Sequence, residues 1–200
     1  MSGRYYNRAM PPRRNHSAAT AALAALLALP LLPACTSLPD NAVQETLEEA
    51  TGTSVTRLAR PIELTTVQPR GPNADPFAYV APFETNRMGR RQAYLWIAVP
   101  DERGEGGNPE LSIGGAALPL GEPVDLRSAG LGAAPYARPA PWSAEFLFVL
   151  DDSGLRSLAQ DGEWRIAMQR PGASSLTFAG SPAPPDLLQR FLGATGSAAH

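Results

Sequence analysis

Three regimes of apolar and polar residues follow one another along the chain. The first is an apolar run from Ala18 to Leu32, rich in Ala and Leu and 15 residues long. A bilayer core takes about 20 apolar residues in a spanning helix, so this run is too short to cross one. In the second regime Val43, Leu47 and Ala50 recur at helical spacing, with Glu45, Glu48 and Glu49 on the other side. Asp40 or Asn41 can cap such a helix by accepting its orphan N–H bonds, and Gly52 can end it. The third regime starts at Thr53 and favours strands. Ile62 and Leu64 alternate with Glu63 and Thr65, and Trp164, Ile166 and Met168 alternate with Glu163, Arg165, Ala167 and Gln169. Phe77 to Phe83 and Gln92 to Val99 are apolar on both faces, which predicts central strands covered on each side. Shorter strands are expected at Leu111–Ile113, Val124–Leu126, Glu145–Leu150 and around Leu176 and Phe178. Gly130 to Pro141 reads as a long loop. Two further helices are expected, one near 152–160 capped by Asp152 or Ser153, and one from Pro185 to Leu192.

This order predicts a mainly β domain over residues 41–194: an antiparallel β-sandwich with short capping helices at the N-terminus, near 152–160 and at the C-terminus. The 18 glycines and 21 prolines are too many for a helix bundle of this length. Residues 195–200 carry no pattern and are expected to form a disordered tail.

The short apolar run acquires a meaning from its flanks. Arg4, Arg8, Arg13 and Arg14 precede it, and no acidic residue occurs before Asp40. A basic flank, a short apolar stretch and small residues at its end describe a secretory signal peptide. The Arg13-Arg14 pair is followed by Asn15-His16, which does not continue a twin-arginine motif; Met10 offers a second start, with a leader from Met10 to Ala34. The run ends Leu32-Pro33-Ala34-Cys35. These four residues resemble the lipobox of bacterial lipoproteins, with Pro33 in place of the usual small residue. The resemblance implies a signal peptide over 1–34, a diacylglycerol on the Cys35 thiol, cleavage after Ala34, acylation such as palmitoylation of the new amino group, and a tether over 35–40. It also implies that Thr36, where Asp would signal inner-membrane retention in enteric bacteria, directs the protein to the periplasmic face of the outer membrane, the inner membrane being the alternative. An ordinary secretory signal would leave Cys35 incidental. Cys35 is the chain's only cysteine, so it has no internal disulfide partner.

Composition then narrows the chemistry. Past Ala34 there are 13 arginines, no lysine and 19 acidic residues, a formal charge of −6 that argues against a nucleic-acid partner. The single histidine of that stretch is His200. Metal sites built on His or Cys, Ser-His-Asp and Cys-His nucleophiles, phosphate-loop lysines and Schiff bases all lack a required residue. No cofactor is expected. Carboxylates, tyrosine and arginine remain.

The leading candidate site is Asn86-Arg87-Met88-Gly89-Arg90-Arg91, between the two densest strands. Arg87, Arg90 and Arg91 form an anion-binding candidate, because guanidiniums hold carboxylate or phosphate bidentately. The plainer alternative is a hairpin turn with Asn86 and Gly89 at positive φ and the arginines solvated. Asp101 to Glu110 is acidic and glycine-rich; it could hold calcium or be a solvated loop, and it matches no EF-hand spacing. Asp151-Asp152 precede a predicted helix, where carboxylates suit the helix dipole. Trp96 and Trp164 fall in strands and are expected in the core, while Trp142, among prolines, is expected at the surface. The stretch from Glu84 through Asn86-Arg87-Met88-Gly89 to Tyr94-Leu95-Trp96 is similar to one in uncharacterised lipoproteins of Gram-negative bacteria, a resemblance that implies no activity.

The expectation is a membrane-anchored periplasmic module without catalysis, binding an envelope protein or glycan; the alternative is a carboxylate-based enzyme acting on cell-wall glycan. The anchor is directly testable. Cys35→Ser should run unlipidated and leave the membrane fraction, and a variant that stays membrane-bound would refute lipid attachment as the anchor.

Overall fold

Two long strands, β4 (Phe77–Arg87) and β5 (Arg90–Pro100), form a hairpin whose residues are buried on both faces for most of its length. In the computed structural model the described residues are 42–68, 76–101, 104, 106–172, 175–182, 184 and 186–196. Cys35, Ala34 and the rest of the leader and tether lie outside them.

Around the hairpin are β1 (Val43–Glu48), β2 (Thr53–Leu58), β3 (Ile62–Thr66), β6 (Pro109–Ile113), β7 (Ala116–Leu118), β8 (Ser143–Leu150), β9 (Trp164–Met168) and β10 (Leu176–Gly180). Two helices join them, α1 (Asp152–Leu158) and α2 (Leu187–Thr195). The domain is mainly β, as expected. Its ten strands make one antiparallel sheet, where the sequence suggested two facing ones. β5 lies between β4 and β8. The other edge of β4 is shared: Phe83–Asn86 pair with β2, and Phe77–Val80 pair with β3. From β3 the sheet continues through β10, β9 and β6 to β7.

Strand alternation assigns one hairpin face to each of two cores. Ala78, Val80, Leu95, Ile97 and Val99 belong to the larger core, which also takes Phe148 from β8 and Leu111, Ile113 and Leu118 from β6 and β7. The sheet therefore curls until its opposite arms share one apolar interior. Leu155 and Leu158 of α1 and Leu187, Leu188, Phe191 and Leu192 of α2 complete it. The other hairpin face carries Ala81, Phe83, Tyr94, Trp96 and Ala98, and among the described residues neither a second sheet nor a helix covers it. The connection between β7 and β8 crosses it, burying Ala129, Leu131 and Tyr136.

Tyr136 fastens this cover. Its ring lies 5.1 Å from that of Trp96, its hydroxyl donates to the Leu58 carbonyl at 3.2 Å, and the Arg57 guanidinium sits 5.0 Å from its ring centre. Arg57 also donates to the Pro135 carbonyl. Burial pushes the Tyr136 hydroxyl far above its ordinary pKa, so it stays a neutral donor. Nearby, Glu145 accepts from Trp96 Nε1 at 3.3 Å and from Arg138 Nε at 2.8 Å, tying the connection to β8.

Several local expectations change. Residues 43–48 form strand β1, not a helix. A spacing of four satisfies one helical turn and two strand periods alike, and pairing with β2 decides for the strand. Val124–Leu126 is not a strand; Val124 makes one ladder-like bond to the Leu147 carbonyl at 2.7 Å, and Val124 and Leu126 pack on the second core. Helix α1 is capped by Asp151, whose carboxylate accepts from the Gly154 N–H at 2.7 Å, rather than by Asp152 or Ser153. Helix α2 runs on to Thr195, which is 2% exposed, so Thr195 belongs to the domain rather than to a tail. Trp96 and Trp164 are core residues and Trp142 is 47% exposed, as expected. Gly162 has φ of 151° and meets the Gly114 backbone so closely that a Cβ there would stand 2.8 Å from it.

The cover makes a graded stability prediction. Tyr136→Phe removes one buried hydrogen bond and should cost about 1 kcal/mol. Tyr136→Ala also empties an aromatic site and should cost about 3–5 kcal/mol. Urea unfolding measures both; equal, near-zero costs would mean that the connection does not hold the second core.

Candidate functional site

The β4–β5 turn places the predicted arginines. Arg87 pairs with Arg90 across the strands, leaving Met88 and Gly89 as a two-residue loop with φ of 52° and 81°. Positive φ at both positions marks a type I′ turn, whose twist matches that of the strands. It is Met88 with Gly89, not Asn86, that takes the left-handed conformation. Asn86 stays in the strand, and its Oδ1 accepts from the Gly89 N–H at 3.1 Å. Met88 is 96% exposed at the tip.

Alternation then divides the three arginines. Arg87 and Arg90 point to the face of the second core, and Arg91 to the face of the larger one. Arg91 lies 3.6 Å from the Glu84 carboxylate and donates to the Thr195 carbonyl at the end of α2. The expected triad is therefore not one site.

Arg87 and Arg90 gain a partner from elsewhere. Arg127, in the connection that covers the second core, lines the same open depression of about 600 Å³, together with Thr85, Met88, Tyr94 and Ser128. Among the described residues, Arg87 and Arg90 have no hydrogen bond or ion pair from their side chains. Arg127 is near Asp125 and helps to hold that carboxyl below its ordinary pKa, after the larger effect of the Ser128 N–H, which donates to Asp125 at 2.6 Å. The floor includes Tyr94, stacked on Phe83 at 5.2 Å; burial raises its pKa, and a hydrogen bond with Thr85 opposes the rise. Like charges placed directly opposite each other on a sheet repel, so Arg87 and Arg90 are electrostatically unsatisfied as they stand. Arg127 could not be found in the sequence. It lies in a Gly/Ala/Pro-rich segment, and only the path of that segment over the sheet brings it to the hairpin.

Glu84 and Arg91 line a second depression of about 620 Å³, with Asp151, Asp152 and Arg156 at its other wall. The Glu84 side chain is only 7% exposed. Burial raises its pKa, and Arg91 partly offsets this. Asp151 is shifted the other way by the Gly154 N–H and the Ser153 hydroxyl that donate to it. Two carboxyls with opposed shifts can in principle divide acid and base roles. Here each is already engaged, one by an arginine and one by a helix start.

At the acidic stretch, Asp101 Oδ2 accepts from the Gly106 N–H at 3.1 Å, while Glu102, Arg103 and Glu105 lie outside the described residues. Among the described residues, no group of three His, Cys, Asp or Glu side chains converges as a metal site would require. No described helix is long and apolar enough to cross a membrane. With this geometry in view, comparison with protein-family models, curated proteins and solved structures gives no match to the chain.

Glu84 generates a pH prediction. Its folded pKa lies above its ordinary value of 4.5, so between the two the folded state binds more protons than the unfolded state. Its contribution to stability therefore falls as pH rises through that window. Glu84→Gln lacks this fall, so its stability relative to the parent should increase as pH rises from 4.5 through the folded pKa of Glu84. Urea unfolding across that range tests it, and a pH-independent difference would contradict the assigned direction.

Proposed function

We propose that the protein is a lipid-anchored periplasmic module that binds a component of the cell envelope and carries out no chemistry on it. The observation that carries this reading is the convergence of Arg87, Arg90 and Arg127 on one open depression. Charge of one sign gathered in a concavity raises the local concentration of an oppositely charged partner. The lipobox-like Leu32-Pro33-Ala34-Cys35 supports anchoring through acyl chains on Cys35, with the periplasmic face of the outer membrane as the location.

The strand register adds a spatial argument. Val43 pairs with Leu58, Glu48 with Thr53 and Ser54 with Asn86. The chain thus enters β1 at the end opposite the hairpin tip, and five residue steps of about 3.4 Å separate the two ends by about 17 Å. The tip and its arginines thus lie at the other end of the sheet from Val43, the first residue of β1. The opposed carboxyls of the Glu84 depression favour, as a second reading, a carboxylate enzyme acting on cell-wall glycan, but their existing partners make it the weaker one.

The test is proximity in living cells. A photoreactive amino acid replacing Met88 in the lipidated protein should give a discrete crosslinked product with an envelope component. The same group at exposed Val67, beyond the pairing of Thr65 with Phe77 at the far end of β4, should not give it. Identical products from both positions would count against recognition at the tip.

A further inference from the structure

We infer that Arg87, Arg90 and Arg127 form a binding site for a phosphate monoester, carried either by a soluble sugar phosphate or by a lipid headgroup; the inference rests on the binding-module reading and specifies its ligand chemistry. Three features select this class. The first is charge. Arg87, Arg90 and Arg127 line one depression; Arg127 also borders the neighbouring one beside Asp125, whose carboxylate already accepts from the Ser128 N–H. A carboxylate brings one negative charge, whereas a phosphate monoester brings about −1.5 to −2 near neutral pH and three acceptor oxygens. The larger charge matches the cluster.

The second feature is geometry. Arg87 and Arg90 are cross-strand neighbours on a tight hairpin, and Arg127 reaches the depression from a separate, fastened segment. Tyr136 and its partners hold that segment against the sheet. The guanidiniums are thus presented from two rigid supports and can grip one oxyanion from different sides, each with a planar fork of donors. The third feature is space. A depression of about 600 Å³ exceeds the needs of a bare ion, and Thr85, Ser128 and the exposed Met88 also line it. A sugar or a lipid headgroup attached to the phosphate fits that mixture of polar and apolar lining. Bound oxyanion would also relieve the repulsion between Arg87 and Arg90.

The experiment uses the lipidated protein in phosphatidylcholine nanodiscs, titrated with glucose 1-phosphate by calorimetry, with acetate as the carboxylate probe and short-chain phosphatidic acid as the lipid probe. Saturable binding of glucose 1-phosphate or of phosphatidic acid, weakened by salt and much stronger than that of acetate, is expected; which of the two binds identifies the source. Arg127→Gln should lower the affinity at least about tenfold, as loss of a charge-assisted contact does. Arg127→Lys should not restore it fully, because an ammonium lacks the planar fork. Arg91→Gln, on the other sheet face, should leave the affinity unchanged. The double variant Arg87→Gln/Arg90→Gln should abolish binding with a Tm equal to or above that of the parent. Equal binding of acetate, an unaffected Arg127→Gln, or a double variant that unfolds would each overturn the inference. A Met88 crosslink without phosphate binding would leave the binding module standing and reject its phosphate ligand.

Discussion

The β4–β5 hairpin is apolar on both faces, and the domain is organised by the need to cover both. Leaving either face in water would expose large apolar side chains, at about 25 cal/mol for each Å². The sheet answers on one side by curling until β6, β7 and β8 meet across the larger core, with α1 and α2 closing it. Among the described residues no strand covers the other side, which the irregular connection between β7 and β8 covers instead. A segment without regular structure can do this only if its backbone polar groups find partners and its position is fixed. Tyr136, Arg57, Arg138 and Glu145 supply the fixing.

The same arrangement creates the candidate site. Since the connection must lie on the second face, it passes beside the hairpin tip and delivers Arg127 to Arg87 and Arg90. Structural cover and ligand contact are therefore functions of one segment. Arg91, one residue from Arg90, is turned to the opposite face and spent on Glu84 and the end of α2. Its role is to hold α2 against the sheet end, where a half-buried charge pair also makes stability depend on pH.

Much of this was legible along the chain. Strands β3, β4, β5, β8, β9 and β10 follow the alternation or density of apolar residues, and Trp96 and Trp164 are core residues for the same reason. The turn after Arg87 was visible from Gly89. The failures are equally physical. Val43 and Leu47 are four apart, a spacing that helix and strand share, and only the edge of β2 chooses between them. Val124 and Leu126 carry the composition of a strand, but they serve a core without belonging to a ladder.

What the sequence determined by itself is what depends on residue type and short-range period: a mainly β domain, a doubly buried hairpin, a lone cysteine in a lipobox-like context, and the lack of lysine and of any internal histidine after the leader. These hold whatever the chain's path. What only the tertiary structure decided is which side chains share a space. Alternation separated Arg91 from Arg90, and the route of the connection joined Arg127 to Arg87. The physical reason is that strand period sends adjacent residues to opposite faces, while core burial brings distant ones together, so nearness in sequence and nearness in space part company at the site.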